Sequence, residues 1–146
     1  MRASDPPVVV EQTLEASPDQ VWRAITDPQE MTKWFFDNIP DFRPEIGFET
    51  RFNIHHEGRD FMHCWKVTEA VAPERLVYDW SYEGYEGDSY VTFELKPTGE
   101  GTHLKLTATI RQDFPDDIPE FRRESCVGGW RFFLQERLKA YLNQLK

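Results

Sequence analysis

The sequence predicts an α+β domain in which a curved antiparallel sheet is closed by a long C-terminal helix around an apolar, ligand-sized cavity. Three observations carry this. From Glu45 to Arg111, apolar residues recur at every second position in five successive segments. From Trp130 onward the period lengthens to that of a helix. Each of these surfaces is apolar on one side only, so the helix and the sheet must cover one another.

Taken in order, Val8-Val9-Val10-Glu11-Gln12-Thr13-Leu14-Glu15 is β-branched and partly alternating, the pattern of a first strand. Ser17-Pro18-Asp19-Gln20 then supplies a cap, a proline for the first helical turn and the partner of a capping box. Val21, Trp22 and Ile25 give that short helix its buried face. Asp27-Pro28-Gln29-Glu30 repeats the grammar and starts a second short helix carrying Met31, Trp34 and Phe35. Neither helix is long enough to stand alone.

Phe48, Thr50, Phe52 and Ile54 alternate with charged and polar residues up to the turn at Glu57-Gly58. A strand from about Asp60 to Glu69 is broken at Val71-Ala72-Pro73-Glu74. Leu76, Tyr78, Trp80 and Tyr82 mark the next one, and the glycine-bearing stretch from Glu83 to Asp88 turns the chain. Val91, Phe93 and Leu95 follow, then the Pro97–Gly101 turn, then Leu104, Leu106, Ala108 and Ile110. Short turns between consecutive strands predict an antiparallel meander. Trp130, Phe133, Leu134, Leu138, Tyr141, Leu142 and Leu145 form one stripe of the final helix, about 24 Å long from Trp130 at 1.5 Å per residue. Pro119 falls near its start. Gly128-Gly129 lies within the helical pattern, where each glycine costs about 1 kcal/mol relative to alanine; the pair implies a kink or a deliberate lack of bulk. Residues 1–7 read as a flexible lead and residues 8–146 as one domain.

Composition narrows the function. Of the 146 residues, 39% are hydrophobic and 14% aromatic, enough for a core and for a ring-lined pocket. The net charge of -9 repels phosphate backbones and anionic headgroups, so nucleic acid is not an expected partner. No apolar run reaches the roughly 20 residues of a membrane span, so no membrane insertion is expected. The N-terminal residues lack the apolar core of a secretion signal, and Cys64 and Cys126 stand far apart without paired motifs, as thiols of a reducing compartment do. These features point to the cytoplasm.

The order of elements, with the wording of several segments, resembles the START-like (SRPBCC) superfamily, specifically its branch related to the activator of Hsp90 ATPase. The matching pieces are Pro18-x-x-Val21-Trp22-x-Ala24-Ile25-Thr26-Asp27-Pro28, Trp34-Phe35, and Pro73-Glu74-Arg75-Leu76-Val77-Tyr78-x-Trp80. Further along come Val91 to Leu95, Gly101-Thr102-x-Leu104-x-Leu106-Thr107, and Gly129-Trp130 leading into the last helix. The match runs from about Val8 to Leu145. The resemblance implies a helix-grip (START/Bet v 1-like) fold of about six strands, with small apolar molecules held between sheet and helix. It also implies two alternatives: a co-chaperone whose partner is Hsp90, and an enzyme similar to polyketide cyclases. The eukaryotic activator docks through a further N-terminal domain that this sequence does not contain, so little stimulation of the chaperone is expected.

Among single residues, His63 shares strand parity with Phe61, Trp65 and Val67 and so points inward, either toward a ligand or as a hydrogen-bonded core histidine. Phe52, Trp65, Tyr78, Trp80, Phe93 and Trp130 also fall on inward faces; they are the walls of a pocket or the filling of a core. Gly128 and Gly129 would widen a cavity there, with the loop before the helix and the Glu83–Asp88 hairpin at its mouth. Tyr78 and Tyr82 have hydroxyls to offer a ligand or the backbone. His55 and His56 flank a turn beside Glu57 and read as solvated residues. Asp113, Asp116, Asp117 and Glu120 lack calcium-loop spacing. No nucleophile, metal or dinucleotide motif occurs, so no catalytic residue, metal or cofactor is expected. The reading is a carrier or sensor of a small hydrophobic molecule.

Overall fold

The computed structural model describes residues 1–145; Lys146, the last residue of the predicted domain, lies outside the described residues. Strand β1 (Val8–Leu14) leads into helices α1 (Pro18–Thr26) and α2 (Pro28–Trp34). Strands β2 (Glu49–His56), β3 (Arg59–Val71), β4 (Arg75–Tyr82), β5 (Asp88–Pro97) and β6 (Thr102–Gln112) follow. They form one antiparallel sheet in the order β1-β6-β5-β4-β3-β2. The predicted meander is therefore present, and β1 closes its far side by pairing with β6 from Val8↔Ala108 to Leu14↔Thr102.

Both helix starts form as the sequence dictates. The Ser17 hydroxyl accepts from the Gln20 amide at 3.2 Å while the Gln20 side chain accepts from the Ser17 amide at 3.1 Å. Asp27 ends α1 and caps α2, its carboxylate accepting from the Gln29 amide at 2.9 Å. The buried Trp34 indole donates to the Ala24 carbonyl at 2.7 Å, locking α2 onto α1.

After β6 a single 3-10 turn (Pro119–Phe121) precedes the closing helix, which begins seven residues before Trp130. It runs as α3 (Arg123–Arg131), a wider π-type stretch (Phe132–Leu138) and α4 (Lys139–Gln144). The change of pitch comes just after the two glycines, and at the junction the Phe132 amide is shared between the Gly128 and Gly129 carbonyls. Trp130, Leu134, Leu138, Tyr141 and Leu142 are buried in the main apolar cluster, while Leu145, predicted in the same stripe, is 51% exposed at the end of the helix. At its far end the helix is tied to α2: Tyr141 donates to Glu30 at 2.9 Å and Arg137 to the Lys33 carbonyl at 3.0 Å.

The strands bury alternate residues, as β6 shows from Thr102 to Ala108. The apolar interior falls into two parts. The main cluster joins the sheet, α1, α2 and the closing helix. A smaller one, Phe61, Phe114 and Phe121, sits at one end with Tyr82, Tyr85 and Ile118 packed around it. The lead expected to be loose meets this end: the Phe114 amide donates to the Met1 carbonyl at 2.9 Å, and Asp113 accepts from the Ala3 amide at 2.7 Å.

Candidate functional site

A cavity of about 180 Å³ lies between these two clusters, which share Tyr82 as a neighbour, and between the sheet and the first turns of the closing helix. Its floor follows the cross-strand register. His63 pairs with Tyr82, Trp80 with Ser89, Ser89 with Ile110, and Val91 with Ala108, so one strip of inward side chains crosses four strands. Cys126, Gly129, Trp130 and Phe133 form the helical wall, and Phe36, just beyond α2, closes one side. Phe114 closes another. Solvent-facing Ser125 and partly exposed Glu120 also border the space, which places its opening at the loop before the helix.

That opening is braced electrostatically. Arg59 donates twice to the Glu120 carboxylate, at 3.0 and 2.9 Å, and His56 Nδ1 lies 2.7 Å from the same group. The Arg59 hydrogen bonds, aided by His56, hold the Glu120 carboxyl down at about 2. The β2–β3 hairpin is thereby fastened to the 3-10 turn. The Glu83–Asp88 hairpin contributes no wall residue itself, only the flanking Tyr82 and Ser89. It packs on Phe114 so closely that a Cβ at Gly87 would come within 2.4 Å of that ring, and Gly87 has φ +115°. Only glycine suits this position.

His63 is the polar centre of the cavity floor. It is 5% exposed and ringed by aromatic groups, stacking on Phe52 at 4.9 Å with Phe36, Trp80 and Tyr82 edge-on. Its Nδ1 lies 2.9 Å from the Phe61 carbonyl, which can only accept, so Nδ1 carries the proton. Burial lowers its pKa to about 4, so the ring is neutral and Nε2 presents a lone pair. Tyr82 accepts a hydrogen bond from the Trp80 indole at 2.8 Å, and burial raises its pKa, so its own proton stays on. Burial likewise pushes the Cys126 thiol up to about 11, which keeps it protonated and a poor nucleophile.

Of the residues singled out from the sequence, His63, Trp80, Tyr82, Gly129 and Trp130 stand on the cavity wall, with Glu120 at its rim. Phe52, Trp65, Tyr78 and Phe93 face inward as expected but lie in a solid aromatic pack beside it. Trp65 sits 4.7 Å from Phe52, 4.9 Å from Tyr78 and 5.0 Å from Trp80 between ring centroids, and Phe93 lies 5.9 Å from Tyr78. The reason is the segment after α2: Phe35 and Phe42 fill that half of the sheet face, each against Trp65. Gly128 turns outward to solvent; only Gly129 faces the space, where an added Cβ would meet nothing within 4 Å. Sequence reasoning missed Phe36, Ser89, Ile110, Phe114, Cys126 and Phe133. Parity places Ser89 and Ile110 on the inner face, but nothing in the pattern says which inner positions stay unfilled.

A sheet gripped by a C-terminal helix, with a cavity between them, defines a START-like protein. Within that class, the chain belongs to the family described as Activator of Hsp90 ATPase homolog 1-like protein, which matches residues 15–143. Among solved structures it is similar to protein MLL2253 from Mesorhizobium loti, at 30% identity over 97% of this chain and 99% of that one, with a TM-score of 0.74. It is also similar to protein CV1439 from Chromobacterium violaceum, at 25% identity over 93% and 96% of the two chains, with a TM-score of 0.78. DynU16, a protein of the dynemicin biosynthetic locus, shares 26% identity over 97% of this chain but 49% of its own, with a TM-score of 0.75. No curated protein matches the chain. No helix among the described residues is long and apolar enough to cross a membrane.

Proposed function

We propose that this protein binds a small, largely hydrophobic molecule in the cavity between its sheet and its closing helix. The observation that carries the reading is the cavity itself: about 180 Å³, walled mainly by Phe36, Trp80, Trp130 and Phe133, and left open at Gly129 by the missing side chain. An engineered apolar cavity of about 150 Å³ in another protein takes up benzene, so this volume suits a single ring with one or two further heavy atoms. The fused-ring products implied by a cyclase-like enzyme are too large for it as it stands. The family description also names a chaperone partner, but no feature of the described surface favours that reading over the cavity.

Native mass spectrometry of the freshly purified chain tests the proposal. A bound molecule of one-ring size is expected, or uptake of added toluene where the protein emerges empty. Gly129→Leu should abolish either one while leaving the melting temperature unchanged or higher, since the new side chain enters open space and leaves glycine's helix penalty behind. A lower melting temperature together with undiminished binding would overturn the reading, because it would mean that the introduced leucine overpacks a solid core.

A further inference from the structure

The geometry points to a neutral hydroxyl-bearing aromatic molecule, a phenol, as the class of ligand, with its oxygen seated between His63 Nε2 and the Tyr82 hydroxyl. This rests on the cavity-binding reading above and adds the polar half of the recognition.

The argument is one of unused hydrogen-bonding capacity. Among the described residues, Trp65 Nε1 is the side-chain polar atom that is both sealed from solvent and without a partner. Among the same residues His63 Nε2 also lacks a partner but is not sealed, and the His63 ring lines the cavity. With Nδ1 committed to the Phe61 carbonyl, Nε2 is purely an acceptor. Tyr82 is the mirror case. Its oxygen already accepts from Trp80, and its single proton has no acceptor within the described residues. The two residues are directly opposed across β3 and β4, with ring centroids 4.8 Å apart and planes at 80°, and no hydrogen bond joins them. One acceptor and one donor are therefore carried by neighbouring side chains of the cavity floor, where the other polar group, the Ser89 hydroxyl, is already committed to the Trp80 carbonyl at 2.7 Å.

A hydroxyl satisfies both with one oxygen: it donates to Nε2 and accepts from Tyr82. A carboxylate can only accept, so it would set its lone pairs against that of Nε2. An ammonium can only donate and leaves the Tyr82 proton unused. A plain hydrocarbon leaves both groups desolvated and unpaired. The cavity volume sets the rest at one ring.

Titration of the full chain with phenol, toluene, benzoate and benzylammonium, followed by calorimetry, tests this. Phenol should bind about tenfold or more tightly than toluene, with benzoate and benzylammonium weaker than either. Tyr82→Phe should bring phenol down to within about threefold of toluene; the readout is the ratio of the two affinities, which general loosening would not collapse. If toluene binds as tightly as phenol, or if benzoate binds best, the phenol assignment is overturned while the cavity reading stands. If none of the four binds, both fall.

Discussion

His63 couples burial, titration and recognition in one side chain. Its folded pKa of about 4 lies below the ordinary 6.5, so the unfolded chain binds the extra proton first as pH falls. The stability this contributes is complete above about pH 6.5 and is lost as pH drops toward 4, by about 3 kcal/mol in all. Denaturant unfolding of wild type and His63→Gln across that window should show a steeper loss in the wild type; parallel pH profiles would mean that His63 is not held neutral by the fold. The two glycines offer a second contrast between neighbours. Gly128 faces solvent and Gly129 faces the cavity, so Gly128→Ala should stabilise by about 1 kcal/mol with ligand affinity unchanged. A change in affinity in that variant would mean that the helix is rotated to bring Gly128 onto the cavity wall.

Elements govern access. The 3-10 turn at Pro119–Phe121 is anchored inside by the buried Phe121 ring and at its surface by Glu120, whose partners Arg59 and His56 come from the β2–β3 hairpin. Glu120→Gln should cost on the order of 1 kcal/mol globally, but it should selectively speed amide exchange over residues 119–126 and quicken ligand entry. The Glu120 contribution is intact above about pH 4.5 and disappears as pH falls through about 2, because its folded pKa is the lowered one. Uniform acceleration across all strands in the variant would show that the bridge supports the whole fold instead. The Glu83–Asp88 loop, which carries two positive-φ glycines, should exchange early even in wild type, well before the central strands β3 to β5.

For the molecule as a whole, a cavity seated between two apolar clusters couples ligand binding to stability. Phenol at ten times its dissociation constant should contribute about 1.4 kcal/mol and raise the melting temperature by about 3–5 °C for a chain of this size. Gly129→Leu should show no such shift. A ligand-dependent rise that survives in that variant would locate the binding site elsewhere.

Much of this architecture is legible in the sequence because it follows from local periodicity and punctuation. The alternation in β2 to β6, the Ser17 and Asp27 caps, and the apolar stripe from Trp130 to Leu142 each specify an element, and one-sided apolarity requires them to pack. The resemblance carried by segments such as Pro73 to Trp80 reaches as far as the family. Parity also sends Phe52, His63, Trp65, Tyr78, Trp80 and Phe93 inward, but it cannot separate wall from filling, since both point the same way. That separation was made by tertiary structure. Phe35, at the end of α2, and Phe42, from the irregular segment beyond it, occupy the half of the sheet face under Trp65 and Tyr78. They leave the half over His63, Trp80 and Ser89 unfilled. Which of two adjacent glycines faces that space depends on the rotation of the closing helix, fixed by its packing on the sheet and α2. Local sequence specifies elements because their interactions span a few residues, whereas a cavity is the volume left over by segments far apart in the chain.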